Sequence, residues 1–363
     1  MSLAAAIDVK GWCPGVLRPM QSGDGLLARV RPWCGALRLD EAKGLADASE
    51  RFGNGHIDLT RRANLQIRGL GDAGVHGLQD AVDRLGLVDR DVEAEAGRNI
   101  MVSPLAGIDP DEADIRPIAR ALAGLLASDT GLQRLPSKFG FLVDGGGSVS
   151  IAGERADISL RALGRTMAVG LDTPAGTDWV GSTSIDEAAE VAVAIARIFI
   201  GLSQGQGRLR DLGEGPFRRL RAIVQKGLGP VGNLSIESRR LVGAKGSAVG
   251  VAAPFGRLDA HQLRQPPGGS RGGGHSPVAV ARALRWRAGR RGGANSDEGR
   301  SRDRSHRQCQ RPDPPDRCLS GGAGLPVEQR RHAPHRAPAR GLFVHGQRPR
   351  LGVCQGLRAL RAG

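Results

Sequence analysis

The alternation of apolar and polar residues over roughly the first ninety positions predicts strands and helices in a regular order. Leu26 to Arg31 alternates as a strand does, and Asp40 caps a predicted helix through Phe52, with Gly53 at its C′ position. Two predicted strands flank Arg61. A second helical pattern closes the unit, with apolar residues at Val75, Leu78, Val82 and Leu85. Strand, helix, two strands and helix make most of a split β-α-β unit, the ferredoxin-like plan.

A second pattern begins near Arg98. Asp109 is the predicted N-cap of a helix with Pro110 at its first position. The helix's predicted buried stripe is Ile115, Ile118, Leu122, Leu125 and Leu126. Phe139 to Asp144 follows as a strand, and the glycines Gly145 to Gly147 predict a hairpin after it. Mixed strands and helices of this kind favour an α+β domain.

The segment from Gly53 to Gly69 concentrates the candidate binding chemistry. If Asn64 to Arg68 is extended, Leu65 and Ile67 face a core, while Asn64, Gln66 and Arg68 share the opposite face. Packing has no use for two amides and a guanidinium side by side. Guanidinium groups pair bidentately with carboxylates and oxyanions, so the pattern predicts a site for a ligand that carries them.

The same segment resembles a known family. Thr60-x-Arg62-x-x-x-Gln66 resembles the signature of the ferredoxin-like half-domain in sirohaem-dependent nitrite and sulfite reductases. Pro19 to Arg29 resembles the opening of precorrin-3B synthases, the cobalamin-pathway branch of that superfamily. Two further segments, Arg98 to Asp109 and Leu135 to Phe139, resemble the ligand-facing parts of the family's central domain. The resemblance covers the chain from about Lys10 to Gln265.

The resemblance implies an α+β fold with four parts. Residues 10–92 form a ferredoxin-like half-domain, and residues 93–245 form a sirohaem/4Fe–4S-type α+β domain. Residues 246–265 begin a second, truncated half-domain, because Ser247 to Gln265 repeats the pattern of Gly25 to Asp40 and then stops. Residues 266–363 show no sustained periodicity, and their composition predicts a disordered basic tail.

The family resemblance also implies an activity and cofactors. Precorrin-3B synthases are O2-dependent oxygenases that convert precorrin-3A to precorrin-3B, with iron and a [4Fe–4S] cluster that relays electrons from a donor, NADH being a possible ultimate source. The alternative is a sirohaem-dependent nitrite or sulfite reductase. Catalytic residues are not identified by the sequence. The residues implied to bind the tetrapyrrole or an anion are Arg62, Asn64, Gln66, Arg68, Arg98 and Lys138.

Composition bears on partners and compartment. The formal net charge is +15, but the 98 residues from Pro266 onward contain 20 Arg, no Lys and six acidic residues, and so account for +14 of it. A non-enzymatic binding protein with a basic tail is therefore a third possibility. Trp286 and Phe343 stand alone in the tail, without the aromatic interleaving that stacks bases, so no nucleic-acid partner is expected.

No apolar run approaches the roughly 20 residues of a membrane helix, so no membrane partner is expected. Five scattered cysteines favour the cytoplasm.

The tail can also be interpreted through the codons that its residues permit. A one-base shift of the codons permitted for His275 to Arg287 can encode Thr-Leu-Arg-Leu-Pro-Trp-Arg-Ala-Leu-Phe-Val-Gly, which resembles the family's second arginine motif. The same shift permits a C-x5-C pair around Cys318 and a Gly-Cys-Ala-Lys string around Cys354. We therefore predict a frameshift near Gln265, with a natural basic tail as the alternative. As the chain is written, Cys318 and Cys354 lie where the shifted frame would encode cluster ligands, so no intact metal site and impaired activity are expected.

Overall fold

The computed structural model describes residues 12–234, 242–245, 248–265, 278–281 and 340–345. Within these ranges the chain builds three five-stranded sheets with helices packed against them. The α+β architecture predicted from the sequence is confirmed.

The first sheet contains the arginine-rich segment. Its strands run in the order β1-β2-β5-β4, all antiparallel, and a strand from later in the chain completes it. The helices α1 and α2 pack on each other and close an apolar core over one face. The elements of this part are β1 (Met20–Ser22), β2 (Gly25–Val30), β3 (Ala36–Leu37), α1 (Leu39–Phe52), β4 (His56–Leu59), β5 (Leu65–Leu70) and α2 (Asp72–Arg84).

The two faces of this sheet differ as the alternation predicts. Leu65 and Ile67 are fully buried in the core, and Gln66 and Arg68 lie on the opposite, half-buried face. The predicted cap of α1 is wrong, because the helix begins at Leu39 and Asp40 lies in its first turn. At this end of the helix the Glu41 side chain accepts a hydrogen bond from Arg38 N at 2.7 Å. A backbone N–H at the helix start is thus paired without an Asp cap.

The second sheet has the order β10-β9-β8-β7-β6, parallel between β6, β7 and β8 and antiparallel beyond. Three helices cover it with the larger core, in which Phe139 packs on Phe141 and Phe199. The elements are α3 (Val92–Gly97), β6 (Ile100–Val102), α4 (Arg116–Ser128), β7 (Phe141–Asp144), β8 (Ile158–Leu163), β9 (Thr166–Thr173), β10 (Gly176–Ser184), α5 (Ala188–Ser203) and α6 (Glu214–Lys226).

Two local predictions in this part are wrong. The helix predicted to start at Asp109 begins at Arg116, with Pro117 in its first turn. Asp109 instead accepts a hydrogen bond from Ser148 N at 3.0 Å, so its carboxylate serves the neighbouring loop. The glycines at 145–147 do not form a hairpin, because β7 pairs with β8 in parallel and a parallel pair needs a longer crossing connection.

A third sheet combines one strand from the early part of the chain with four strands from its later part. Its order is β11-β12-β15-β14-β3, with β11 (Gly243–Lys245), β12 (Ala248–Ala253), β14 (Val278–Ala281) and β15 (Arg340–His345). β14 and β15 lie within the segment whose composition predicts a disordered tail, and their backbones pair with β12 and β3. Pairing satisfies backbone groups that an open strand edge leaves exposed. The rest of the tail lies outside the described residues.

The second repeat begins as the first one does. After β12 comes a turn, then β13 (Arg257–Asp259) and α7 (Ala260–Arg264), the same order as β2, β3 and α1. Both turns contain a non-glycine residue in the left-handed region, Cys34 and Phe255, each with φ 53°. The short strands are exchanged: β13 pairs with β4 in the first sheet, and β3 pairs with β14 in the third.

A buried carboxyl beside the 145–147 loop makes the stability pH-dependent. Glu112 is 7% exposed, accepts a hydrogen bond from Ser103 Oγ through Oε1, and has no hydrogen-bond partner at Oε2. Burial, with the charges of Asp144 and Asp109 adding to it, raises the pKa of Glu112 to about 8. The folded state therefore holds this proton more tightly than the unfolded state does, and folding stability falls as pH rises from about 4.5 to about 8.

We expect Glu112→Gln, which cannot ionise, to remove this pH dependence. Relative to the variant, the wild type should lose about 2–4 kcal/mol of unfolding free energy between pH 5.5 and pH 9, measured by urea denaturation. Glu190→Gln, at an exposed position of α5, is the matched control and should leave the pH profile unchanged. Parallel profiles for the wild type and Glu112→Gln would show that Glu112 is already ionised in the folded protein.

Candidate functional site

The motif Thr60-x-Arg62-x-x-x-Gln66 spans the turn between β4 and β5. Thr60 N donates to Asn64 O at 2.8 Å, and Thr60 Oγ1 accepts from Asn64 N at 3.1 Å. Ala63 takes a positive φ of 57° to close the turn. Arg61 and Arg62 thus lie in a tight turn and not on a strand, so strand alternation does not orient them. Arg61 is exposed and Arg62 is half-buried.

Arg62 reaches from this turn to the start of β7. Its Nη2 donates to Lys138 O at 2.5 Å. The guanidinium lies against Gly140: a Cβ there would be 3.4 Å from Arg62 Nη1, an ordinary contact distance. Lys138 takes part through its backbone carbonyl, while its side chain is exposed. Arg62 therefore connects the hairpin tip of the first sheet to the segment that leads into the second sheet.

Two other arginines surround Arg62, and we call Arg29, Arg62 and Arg208 the arginine cluster. Burial, with smaller contributions from the positive charges of Arg208 and Arg29, lowers the pKa of Arg62 to about 10. Burial also lowers the pKa of Arg29. Arg29 Nη2 lies 3.4 Å from Gln66 Oε1, and its Nε has no hydrogen-bond partner. These three cations are held close together in a partly desolvated place.

A single buried carboxylate organises the far side of the cluster. Asp157 accepts from Arg208 Nη2 at 2.6 Å and from Arg208 Nε at 2.8 and 2.9 Å. It also accepts from Gly140 N at 2.8 Å and Leu209 N at 2.9 Å. Asp157 balances one of the three cluster charges, so the cluster retains an excess of positive charge. A carboxylate or oxyanion is the group that such an arrangement binds.

Arg68, also predicted to bind the ligand, is engaged by carboxylates of the protein itself. Its Nε and Nη2 each donate to Asp24 at 2.8 Å, and its Nη1 lies 3.5 Å from Asp58. This pairing lowers the pKa of Asp24 to about 2. Arg68 is thus neutralised on the polar face of the sheet, whereas Gln66, two residues before it, faces Arg29 of the cluster.

Arg98 was predicted to be a second ligand-contacting arginine, but the structure places it in a buried ion pair. Its Nε and Nη2 donate to the Asp89 carboxylate at 2.7 and 2.8 Å, and Nη2 also donates to Arg31 O at 2.9 Å. Its guanidinium stacks 4.0 Å from the ring centroid of Trp33. With its donors committed in this way, Arg98 ties the end of β2 to the segment before α3.

The sequence interpretation missed three members of the site. Arg29 could have been found, because it follows strand alternation on β2 and lies directly across from Gln66. Arg208 and Asp157 are 51 positions apart and are joined only by the fold, so no local pattern signals their pairing. Asn64 lies half-buried at the end of the turn, where its backbone closes the hairpin.

The described residues do not fit a metal cluster. Within the described ranges no group of three or more His, Cys, Asp or Glu side chains could hold a metal ion, and the free cysteines are Cys13 and Cys34. A [4Fe–4S] cluster needs four thiolate ligands. Cys318 and Cys354 lie outside the described residues. In the part of the chain that the structure describes, no helix is long and apolar enough to cross a membrane.

Comparison with known proteins finds a family match for the segment that contains most of the first sheet. Residues 18–85 match the family described as the nitrite/sulfite reductase ferredoxin-like half domain. The NirA protein of Mycobacterium tuberculosis shares the fold, with a TM-score of 0.57 and 22% identity over 70% of this chain and 52% of that one. The predicted resemblance to the nitrite/sulfite reductase superfamily is confirmed.

Sequence relatives extend this result. The chain is 44% identical over 179 residues to a precorrin-3B synthase of Sinorhizobium sp., covering 48% of this chain and 36% of the relative. It is 26% identical over 282 residues to a ferredoxin–nitrite reductase of Leptolyngbya laminosa, covering 68% of this chain and 55% of that protein. A ferredoxin–nitrite reductase of Synechococcus elongatus is 31% identical over 176 residues, which is 33% of its length. The chain thus spans about a third to a half of these relatives.

We expect Asp157→Asn to destabilise the fold by about 3–5 kcal/mol, because it removes the charge of a fully buried carboxylate and leaves the half-buried Arg208 without its counter-charge. Urea unfolding at neutral pH measures the loss. Asp186→Asn, at an exposed position before α5, is the control and should stay within about 0.5 kcal/mol of the wild type. A loss below about 1 kcal/mol for Asp157→Asn would contradict the organising role of this carboxylate.

Proposed function

We propose that the arginine cluster binds the carboxylates of a modified tetrapyrrole and that the chain descends from an oxygenase of the precorrin-3B synthase type. The observation that supports the proposal is the excess positive charge of the arginine cluster, to which the motif Thr60-x-Arg62-x-x-x-Gln66 contributes Arg62. The 44% identity to a precorrin-3B synthase supports the substrate class. Precorrin-3A, a macrocycle with many carboxylate side chains, is the proposed substrate.

The physical argument rests on desolvation. Gathering three guanidinium groups in a half-buried place costs free energy, which burial expresses as lowered pKa values for Arg29 and Arg62. Asp157 offsets only part of that cost. An incoming carboxylate would accept charge-assisted hydrogen bonds from the cluster, and such bonds are stronger where water is excluded. Gln66, beside Arg29, would add a neutral donor for the same ligand.

The second candidate is a nitrite or sulfite reductase. The same cluster could hold the carboxylates of sirohaem or a small oxyanion. The nitrite reductase of Leptolyngbya laminosa supports this because its match covers more of the chain, 68% against 48%, although its identity is lower. We favour the precorrin-3B synthase type because Pro19 to Arg29 resembles the opening of that branch and because the higher identity points the same way.

Oxygenation also requires electrons, and here we assign no step to the described residues. Their two cysteines do not make a [4Fe–4S] site. We therefore propose that the cluster ligands are encoded in the shifted frame beyond Gln265 and that the chain as written binds the tetrapyrrole but turns it over poorly. The donor that would supply the electrons, with NADH as a possible source, belongs to the same proposal.

Arg62→Ala should weaken binding of uroporphyrin, a macrocycle with several carboxylates, by about 1.5–3 kcal/mol, the scale for a hydrogen bond to a charged group. Fluorescence quenching of the porphyrin measures the affinity. Arg61→Ala is the matched control: it removes the same charge one residue away at an exposed position, and it should be nearly neutral. Arg68→Lys should also be nearly neutral, because Asp24 and Asp58 already pair with Arg68.

Equal losses for Arg61→Ala and Arg62→Ala would show that charge alone, and not the placement of Arg62, drives binding. Unchanged affinity for Arg62→Ala would place the ligand elsewhere. If nitrite competed with the porphyrin at low concentration and precorrin-type macrocycles did not bind, the reductase candidate would replace the favoured one.

The frameshift proposal predicts a difference in cofactor content. The chain as written should show no [4Fe–4S] absorbance after anaerobic reconstitution, whereas the frame-corrected chain should become brown and give a cluster EPR signal. Both proteins are prepared in parallel, with iron and sulfide measured chemically. Stoichiometric iron and sulfide in the uncorrected chain would contradict the proposal.

A further inference from the structure

A small cavity lies beside the arginine cluster, between the start of the described chain and α3. Its volume is about 50 Å³, several times what one water needs. Polar side chains and two aromatic or sulfur groups form its walls, chiefly Trp12, Cys13, Arg18, Arg31, Glu95 and Ser137. Cys13 also faces Arg29 and Arg62, and Ser137 precedes Lys138, so the cavity adjoins the cluster.

Arg31 is the group in this cavity that lacks adequate partners. It is 5% exposed, and its Nε and Nη1 have no hydrogen-bond partner. Nη1 lies 3.6 Å from Glu95 Oε1, and Nη2 lies 3.5 Å from Pro14 O, both at the outer limit for useful interaction. A buried guanidinium with unmet donors is unfavourable unless an acceptor reaches it.

The acidic residue in the cavity does not fill this role. Glu95 Oε1 accepts from Val16 N at 2.6 Å, and its Oε2 accepts from Leu17 N at 3.1 Å. A Cβ on Gly15 would overlap the Glu95 carboxylate, so the glycine lets the backbone wrap closely around it. Glu95 thus fixes the segment from Gly15 to Leu17 and supplies one negative charge.

The remaining charges favour an anion. Arg18 is exposed and stacks 4.3 Å from the ring centroid of Trp12, with its guanidinium beside the cavity. With Arg31, this gives two positive charges against the one of Glu95. Arg29 adds to the positive potential at Arg31, while Asp89 offsets the charge of its partner Arg98. A planar group with two acceptor oxygens matches the guanidinium fork of Arg31.

We propose that this cavity is a carboxylate subsite separate from the arginine cluster. Its volume of about 50 Å³ suits one carboxylate on a short alkyl arm. For the complete ligand the inference rests on the proposed function: one carboxylate arm of the tetrapyrrole occupies this cavity while another lies on Arg62. The subsite itself is defined by Arg31 and can be tested without a tetrapyrrole.

Cys13 reports on the occupancy of the cavity because it lines the wall. Alkylation of the full chain by iodoacetamide is followed by peptide mass spectrometry, with propionate as the probe at constant ionic strength. Propionate should slow the labelling of Cys13 severalfold and leave Cys34 unchanged. Cys34 is a half-buried internal control that contacts the Arg116 backbone and does not line this cavity. Propionamide, which has the same shape without the charge, should not protect.

Two variants test the assignment to Arg31. Arg31→Met should raise the propionate concentration for half-protection by about tenfold or more, the scale of a lost charged hydrogen bond. Arg18→Gln changes an exposed residue and should give a smaller rise of about threefold, as expected for a peripheral charge. Thermal melts establish that each variant is folded.

Absence of protection in the folded wild type would overturn the subsite, as would equal protection by propionamide. Protection that both variants retain would place the anion elsewhere. Porphyrin titration of the same proteins keeps the two proposals apart. Propionate protection without porphyrin binding would support the carboxylate subsite and contradict the tetrapyrrole proposal. Porphyrin binding without propionate protection would support the tetrapyrrole proposal and contradict the subsite.

Discussion

The buried carboxylate of Asp157 is the interaction on which the candidate site depends. It holds Arg208 through a bidentate pair and fixes Gly140 and Leu209 by their backbone N–H groups. Gly140 marks the entry to β7 and lies beside the Arg62 guanidinium. One carboxylate therefore fixes both the position of Arg208 and the backbone at Gly140, beside which Arg62 lies. A buried ion pair of this kind adds little net stability but is costly to break, so the surrounding geometry is held firmly.

Charge balance separates the binding arginines from the structural ones. Arg68 and Arg98 each have a carboxylate of their own, Asp24 and Asp89, at hydrogen-bond distance. Among Arg29, Arg62 and Arg208, Asp157 pairs with Arg208 and adds only a weaker attraction at Arg62. Residue type is the same in both groups, and only the neighbouring acids distinguish a guanidinium that supports the fold from one that can accept a ligand. The excess at the cluster is the feature that the proposed function uses.

Strand exchange connects the two repeats. The short strand β3 leaves the first repeat to join the third sheet, and β13 joins the first sheet by pairing with β4. Each repeat thereby covers an edge of the other, which protects strand edges that would otherwise present unpaired backbone groups. This pairing also explains why the segments at 278–281 and 340–345 are ordered as strands although the composition around them indicates disorder.

The sequence by itself determined the order of elements in the ferredoxin-like unit and the two faces of β5, because alternation at Leu65, Gln66 and Ile67 reflects burial directly. It also singled out Arg62 and Gln66, whose spacing is local. Helix starts at Arg116 and Leu39 were not predictable, since backbone and loop contacts replaced the expected caps. Which arginines remain available was decided only by the tertiary structure. The acids that pair with Arg68, Arg98 and Arg208 lie 44, 9 and 51 positions away, and the electrostatic balance depends on distances in space that no sequence period encodes.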